Sequence, residues 1–399
     1  MRPCPEKNPR FLVITDKSHP SDHSFVQNVL ERMLGEEHCQ VTIFGESSRS
    51  AGRFTWNGTH YRLYKRLPGG MLTEILQKVI RFPFFLWSEH SFDVIFTRND
   101  PVGLLLARIL CFRHPNMIHL HQISFLHSEF LRADPDCSPF DMIKSTGDRA
   151  IRRMCLRFVD KVFAVSPTMR EDLERVYGLP PGRIGVLSLG VNTDEFQDAL
   201  EYLSRPMDAV YVGTLASARK PEMMVDAVRI YIERYGPLIL HVWGKSHNPR
   251  DDAEFVRYVE SRGMGKNVVW HGQVPRKEVI SQMKRAKVGL SPIPAEGVLI
   301  QGSPTKLMEY LAAGCCVAGF RGIPDQDAII RESGAGLLVR QDPNDLAEAI
   351  YRILSRPEMS SRMSEKGRKY IFEHRDYKAV AKDLFLTANV LVVAKTGKR

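Results

Sequence analysis

Short apolar runs recur along the chain at intervals that leave room for a helix between them. Arg10-Phe-Leu-Val-Ile-Thr15, Gln40-Val-Thr-Ile-Phe44, Phe92-Asp-Val-Ile-Phe-Thr97, Asn116-Met-Ile-His-Leu-His121, residues 162–166 and Ile184-Gly-Val-Leu-Ser188 form a first series. Residues 25–34 and 103–111 read as helices within it, and the polar stretch 16–24 as a loop. Runs apolar on both sides, alternating with helices, predict a parallel sheet covered on both faces. The character changes at Leu189-Gly-Val-Asn192, and residues 193–206 are polar and charged. A second series follows: Asp208-Ala-Val-Tyr-Val-Gly213, Leu238-Ile-Leu-His-Val-Trp243, Val268-Val-Trp-His271, Val288-Gly-Leu290, Cys316-Val-Ala-Gly-Phe320 and Gly336-Leu-Leu-Val339. Helices close the chain over 357–394. The pattern predicts two consecutive doubly wound α/β domains, 1–195 and 207–375, joined by a linker at 196–206. A last helix, 376–399, is expected to cross back to the first domain. Such domains place ligands at the carboxyl ends of their strands, so a cleft between them is the expected site.

One segment departs from the alternation. Residues 71–89 carry Leu72, Ile75, Leu76, Val79, Ile80, Phe82, Phe84, Phe85, Leu86 and Trp87 with Lys78 and Arg81 among them. It reads as a helix packed on its domain, or as a surface that dips into a membrane interface. No apolar run approaches the roughly 18 residues a spanning helix needs. The net charge of +10 suits phosphorylated small molecules or an anionic membrane surface, and it is the sole feature favouring nucleic acid. Arg149, Arg153 and Arg157 fall at i, i+4 and i+8, the spacing of a solvated helix face. The seven cysteines lack metal-ligand spacing, and adjacent Cys315 and Cys316 read as buried thiols of a reducing compartment. The start, Met1-Arg-Pro-Cys-Pro, has no apolar signal core, so the expectation is a cytoplasmic protein, peripheral on the inner face of a membrane where it meets one. Asn57-Gly-Thr59 matches a glycosylation acceptor and is read as a chance match.

The densest chemistry lies between Ser291 and Gly314. After the strand ending at Leu290, a Pro/Gly-rich loop leads to Gly302-Ser-Pro-Thr-Lys-Leu-Met-Glu309. Ser303 is expected as an N-cap, Pro304 as the first helical residue, and Gly314 as the stop. A helix start offers unpaired N–H groups and positive dipole charge, which suit a phosphate. Thr305 and Lys306 would donate, and Glu309 shares the face of Lys306, where a carboxylate could accept from vicinal hydroxyls such as those of a ribose. Ser166-Pro-Thr-Met-Arg170 repeats the same opening. Lys306 and Glu309, not the Ser-Pro-Thr opening, therefore carry the information.

Several pieces, in order, resemble family-4-type retaining glycosyltransferases (glycosyl transferases group 1). They are Val165-Ser-Pro-Thr-Met-Arg170, Leu189-Gly-Val-Asn192 with Phe196, Tyr211-Val-Gly-Thr-Leu215 with Arg219-Lys220, Trp270-His-Gly-Gln-Val274, Ser303-Pro-Thr-Lys-Leu-Met-Glu-Tyr310, and Gly334-Ala-Gly-Leu-Leu338 with Asp345-Leu-Ala347. The resemblance spans about residues 10 to 380. It implies the GT-B fold, two Rossmann-like domains facing a cleft, with the acceptor on the N-terminal side and the nucleotide-sugar donor on the C-terminal side. It implies transfer of a sugar from a nucleoside diphosphate, UDP ahead of GDP, to the hydroxyl of a carbohydrate or lipid-linked acceptor, in surface polysaccharide or glycolipid assembly. By that resemblance Arg219 and Lys306 hold the diphosphate, with Lys220 sharing or replacing Arg219. Gly302, Ser303, Pro304 and Thr305 form the phosphate loop, and Glu309 binds the ribose. Gly213 and Thr214 contact the donor, Gly272 to Val274 lie against the base, and His121 stands near the donor sugar.

Fixed cations aimed at the leaving diphosphate need no metal and no cofactor, and no Asp-x-Asp motif calls for one. One position departs from the family pattern. Gln301 stands eight residues before Glu309, where a second carboxylate is common. An amide can bond a sugar hydroxyl but carries no charge against an oxocarbenium ion. Either the leaving phosphate itself serves, or Glu296 substitutes, or the chain is a non-catalytic nucleotide-sugar-binding subunit. A GT-B epimerase or phosphorylase is a further alternative, since fold alone does not fix the reaction.

Overall fold

Phe11, Leu12, Val13 and Ile14 are all fully buried, as a strand covered on both faces requires. They form β1 (Arg10–Thr15), near the middle of an eight-stranded sheet. The computed structural model describes residues 8–15, 25, 28–30, 37–47, 51–67, 71–88, 92–126, 138–246 and 248–397. The loop expected at 16–24 and most of the helix expected at 25–34 lie outside them. The other strands of this sheet are β2 (Gln40–Ser47), β3 (Gly52–Trp56), β4 (Thr59–Lys65), β5 (Val94–Arg98), β6 (Ile118–Ile123), β7 (Lys161–Ala164) and β8 (Ile184–Val186). Their order is β3-β4-β2-β1-β5-β6-β7-β8, parallel except for the β3–β4 pair.

That pair is a hairpin absent from the expected elements. Its turn is Asn57-Gly58, both with positive φ (45° and 77°), the geometry of the tight turn that Asn-Gly favours. Phe54 and Tyr61 stack across it at 5.1 Å. Asn57 is thus explained by backbone geometry.

Four helices, α1 (Met71–Ser88), α2 (Pro101–Arg113), α3 (Pro139–Cys155) and α4 (Pro167–Tyr177), cover one side of the sheet. Phe82 and Phe85 of α1 join Leu106 and Leu110 of α2 over Leu12, Ile14 and Phe44, while Leu104 of α2 joins Cys155, Met169 and Leu173 nearer β7. Asp100 caps α2 by accepting from the Gly103 N–H at 2.9 Å, and its other oxygen pairs with buried Lys78 of α1.

The second sheet has six parallel strands, β9 (Met207–Val212), β10 (Leu240–Trp243), β11 (Val268–Trp270), β12 (Ala286–Ser291), β13 (Cys316–Phe320) and β14 (Gly336–Val339), ordered β11-β10-β9-β12-β13-β14. Its helices are α5 (Glu222–Tyr235), α6 (Pro249–Ser261), α7 (Arg276–Met283), α8 (Thr305–Ala312), α9 (Pro324–Ser333), α10 (Pro343–Leu354) and α11 (Pro357–His374). The last helix, α12 (Tyr377–Thr396), packs on the first sheet, on the side opposite α1 to α4, through Tyr377, Leu384 and Phe385. Lys395 anchors it by donating to Asp160 at 3.0 Å and to the Met117 carbonyl at 2.8 Å.

Residues Met1–Leu189 with Tyr377–Arg399 form one unit, and Gly190–Asp376 the other. The stretch 196–206, expected as a linker, is part of the second unit's packing. Phe196, Tyr202 and Arg205 are buried, and Arg205 donates to the carbonyls of Leu200, Ala286 and Ala313 at 2.7–2.8 Å. Polarity along the chain concealed an arginine whose donors are used up on buried carbonyls. Cys315 and Cys316 are buried as expected, and burial pushes their thiols up to about 11 and about 12.

Candidate functional site

All strands of the second sheet run parallel, so their carboxyl ends open on one edge. There the chain turns at Gly213, Gly244 and Gly272, after β9, β10 and β11. The backbones approach closely: Gly213 N–H donates to Trp243 O at 3.0 Å and Gly244 N–H to Gly272 O at 2.8 Å. A Cβ on Gly244, whose φ is +119°, would lie 2.0 Å from the Gly213 carbonyl oxygen. No other residue fits that close approach. Thr214 follows Gly213, its carbonyl accepting from Tyr211 Oη at 2.8 Å and its Oγ1 from Ala216 N–H at 3.3 Å. Val274, two residues beyond Gly272, leads into α7.

The 3-10 turn Ser217–Arg219 places Arg219 and Lys220 at this edge. Their side chains differ in engagement. Lys220 Nζ reaches Glu296 at 2.6 Å, and Gln341 also donates to that oxygen at 3.2 Å. These bonds hold the exposed Glu296 carboxyl below its usual range. Glu296 is thus already neutralised by its own unit. The half-buried Arg219 side chain makes no hydrogen bond to any described residue.

The two Ser-Pro-Thr openings diverge. Ser166 is a true N-cap, accepting from Met169 N–H at 3.1 Å, with Pro167 opening α4. Ser303, expected to do the same, instead donates to Asp325 Oδ2 at 2.6 Å, and Asp325 accepts from Arg375 at 2.8 Å. Pro304 therefore stands at the cap position instead of inside the helix, and no side chain caps α8. Its first N–H groups, on Thr305 and Lys306, keep the donor capacity that a capping serine would have consumed. Gln301 and Gly302 end the 3-10 turn before it and are half-buried.

Glu309 is buried on α8 and is held from two sides. Lys306 donates to one oxygen at 2.5 Å and Arg276 to the other at 2.5 Å, while Arg276 also reaches Glu195 at 2.8 Å. Burial opposes ionisation, but the two cations outweigh it and keep the Glu309 carboxyl below the usual range. Burial likewise opposes the charge on Arg276, and Glu309 with Glu195 more than restores it. Sequence reasoning missed Arg276 and Glu195. The first is 33 residues from Glu309 and the second 81 from Arg276, with no periodic signal linking them.

His121 belongs to the first unit. Its strand runs two residues beyond it, to Ile123, so it is an interior strand residue instead of the last one. Its ring is fully buried. Thr97 Oγ1 lies 2.7 Å from Nδ1, and Arg152 Nη1 lies 3.4 Å from Nε2. A guanidinium only donates, so Nε2 accepts and the proton sits on Nδ1, directed at Thr97. Burial, then Arg152 and His119, hold the ring well below its ordinary value, in the neutral form.

The family described as glycosyl transferases group 1 matches residues 192–370, and glycosyltransferase family 4 matches residues 26–195. Among curated proteins, the D-inositol 3-phosphate glycosyltransferase of Streptosporangium roseum is 26% identical over 217 residues, 51% of this chain and 48% of that protein. The chain spans about half the length of such relatives. Among solved structures, sucrose-phosphate synthase from Thermosynechococcus elongatus superposes with a TM-score of 0.74 at 19% identity, covering 97% of this chain and all of that one. Anabaena HepE in complex with UDP-glucose gives 0.70 at 11% identity, covering 96% of this chain and all of that one. The two family matches take up the chain in tandem, and the two parallel-sheet units superpose on GT-B proteins over nearly their whole length: the chain belongs to the family 4, group 1 glycosyltransferases and has the GT-B fold.

Proposed function

We propose that this protein is a retaining, metal-independent glycosyltransferase. It takes a sugar from a nucleoside diphosphate, UDP ahead of GDP, and passes it to a hydroxyl of a carbohydrate or lipid-linked acceptor in surface polysaccharide or glycolipid assembly. The observation that carries the reading is the uncapped start of α8, where Lys306 and the buried Glu309 stand together. In this reading Thr305 and Lys306 N–H groups, the Lys306 ammonium and Arg219 meet the diphosphate, and Glu309 accepts from the ribose hydroxyls. Gly213, Thr214, Gly272 and Val274 line the rest of the donor's path, and the Ser303–Asp325–Arg375 chain holds the phosphate loop in shape. The leaving diphosphate gains negative charge as the glycosidic bond breaks, so donors fixed in advance stabilise that state more than the bound donor. Arg219 suits this task better than Lys220, since Lys220 is tied to Glu296. His121 acts as a neutral hydrogen-bonding group beside the donor sugar, and reaching it requires opening of the shell that covers the ring. Acceptors at a membrane and a cytoplasmic setting belong to the same proposal.

The test is release of free nucleoside diphosphate on adding acceptor, after a thermal-shift panel of nucleotide sugars has identified the donor. Turnover is expected to survive EDTA. Donor binding without turnover on any acceptor extract would instead favour the second reading, a non-catalytic nucleotide-sugar-binding subunit. That reading rests on the neutral Gln301. Arg219→Ala is expected to raise the donor Kd about tenfold, the loss of one charge-assisted contact. Calorimetric titration reads this directly, and an unchanged Kd would return the diphosphate role to Lys220.

A further inference from the structure

The outward surface of α1, α2 and α3 carries two kinds of residue that seldom meet on a solvated face. Phe84 of α1 is 67% exposed, Phe112 of α2 79% and Ile143 of α3 71%, and exposed Ile80, Met154 and Phe158 extend the patch. Ile80 and Phe84 are one helical turn apart, so they point the same way. Among them stand the exposed Arg81, Arg113, Arg153 and Arg157. Arg108 of α2 lies over the Phe158 ring, 4.4 Å from its centre, so cation and aromatic are joined at the surface itself. Among the described side chains of these helices the carboxylates are engaged: Asp100 with Lys78, Asp141 with Ser138 and Asp148 with Arg152. The neighbouring α4, on the same side of the sheet, has none of this character, with exposed Glu171 and no large apolar residue exposed. On this side of the sheet the patch therefore stops short of α4.

We propose that this three-helix face is a docking surface for a bilayer carrying anionic lipid. Its aromatic and aliphatic side chains enter the headgroup boundary while the interspersed arginines meet lipid phosphates. Charge complementarity selects this occupant over a second copy of the chain. A twofold pairing would set the same arginines against themselves across the contact, whereas an anionic surface neutralises them. The inference goes beyond the donor chemistry, since vesicle binding requires neither donor nor acceptor and can fail while the donor site stands.

The experiment is co-sedimentation of the full chain with vesicles of phosphatidylcholine alone or with about one third phosphatidylglycerol. Binding is expected only to the mixed vesicles, and it weakens as salt screens the arginines. Phe84→Ser/Phe112→Ser/Ile143→Ser should lower vesicle affinity at least tenfold with an unchanged melting temperature, because all three side chains are already exposed. Each of Arg81→Gln, Arg113→Gln and Arg153→Gln should lower it about fivefold. Leu386→Ser/Val390→Ser, on the exposed stripe of α12 at the other side of the sheet, should bind as the parent does. Absence of binding to the mixed vesicles, or equal loss in the α12 variant, overturns the proposal. So does a concentration-dependent dimer that the triple serine variant abolishes, which would make the face a protein interface.

Discussion

Glu309→Ala is expected to weaken binding of a uridine-type nucleoside diphosphate about a hundredfold, roughly 3 kcal/mol, through loss of a charged acceptor for two hydroxyls. The same substitution has a second consequence. It strips the counter-charge from Arg276, which is largely buried and would keep only Glu195. Breaking a buried pair from one side costs about 3–5 kcal/mol, so the second unit should also melt earlier. The two effects are separable. Glu309→Gln keeps the shape and one acceptor oxygen, and Arg276→Met removes the buried cation while leaving the carboxylate beside Lys306. If Glu309 binds the ribose, Arg276→Met lowers the melting temperature yet retains most nucleotide affinity. If Glu309 is only a partner for Arg276, both variants lose stability and neither loses affinity measured well below the transition. Unchanged affinity in both Glu309→Ala and Arg219→Ala would remove the site from this edge of the sheet altogether.

The reach of sequence reasoning differs from element to element, and the difference is one of range. Lys306 and Glu309 were legible because i, i+3 spacing on a helix makes neighbours by itself, and the structure has them paired at 2.5 Å. Alternating buried strands were legible for the same local reason. Ser303 was misread because its hydroxyl had two partners to choose between, the local N–H and a carboxylate 22 residues away, and only the fold brings the second within 2.6 Å. The same tripeptide at Ser166 keeps the local bond, its hydroxyl accepting from the Met169 N–H at 3.1 Å. Arg276 and Arg205 were invisible in a stronger sense: each looks like any surface arginine until distant carboxylates or carbonyls surround it. The Asn57-Gly58 hairpin was within reach. The dipeptide sits between Phe54-Thr-Trp56 and Tyr61, an alternation that already signals two short strands.

Acid should destabilise the first unit, and the reason lies in β6. His119 and His121 are both buried there, joined through Thr97: His121 Nδ1–H is directed at Thr97 Oγ1, and the hydroxyl can donate onward to His119 Nε2 at 3.0 Å. Burial lowers His119 to about 3, with Arg108 and Lys395 adding to it, and burial holds His121 well below its ordinary value. In the unfolded chain both would titrate near 6.5. Below that pH the unfolded state binds protons that the folded state refuses, so stability falls as pH falls. The loss begins near pH 6.5 and continues down to the folded value, about 3 for His119. A ring held neutral in the folded chain contributes about 1.4 kcal/mol per pH unit once the unfolded form is fully protonated, so His119 should cost about 1.2 kcal/mol between pH 6 and pH 5, and His121 adds to it in the same direction. Hydrogen exchange of the β5 and β6 amides at the two pH values measures it in this unit alone, without assuming one transition for the whole chain. Replacing both rings, His119→Asn/His121→Asn, should flatten the dependence. Should that variant fold poorly, ring carbon shifts in the parent serve instead: His119 is expected to titrate only near pH 3, and His121 well below its ordinary value. A ring that protonates near pH 6.5 in the folded protein would mean that β6 admits charge, and with it the acid sensitivity assigned to this strand would disappear.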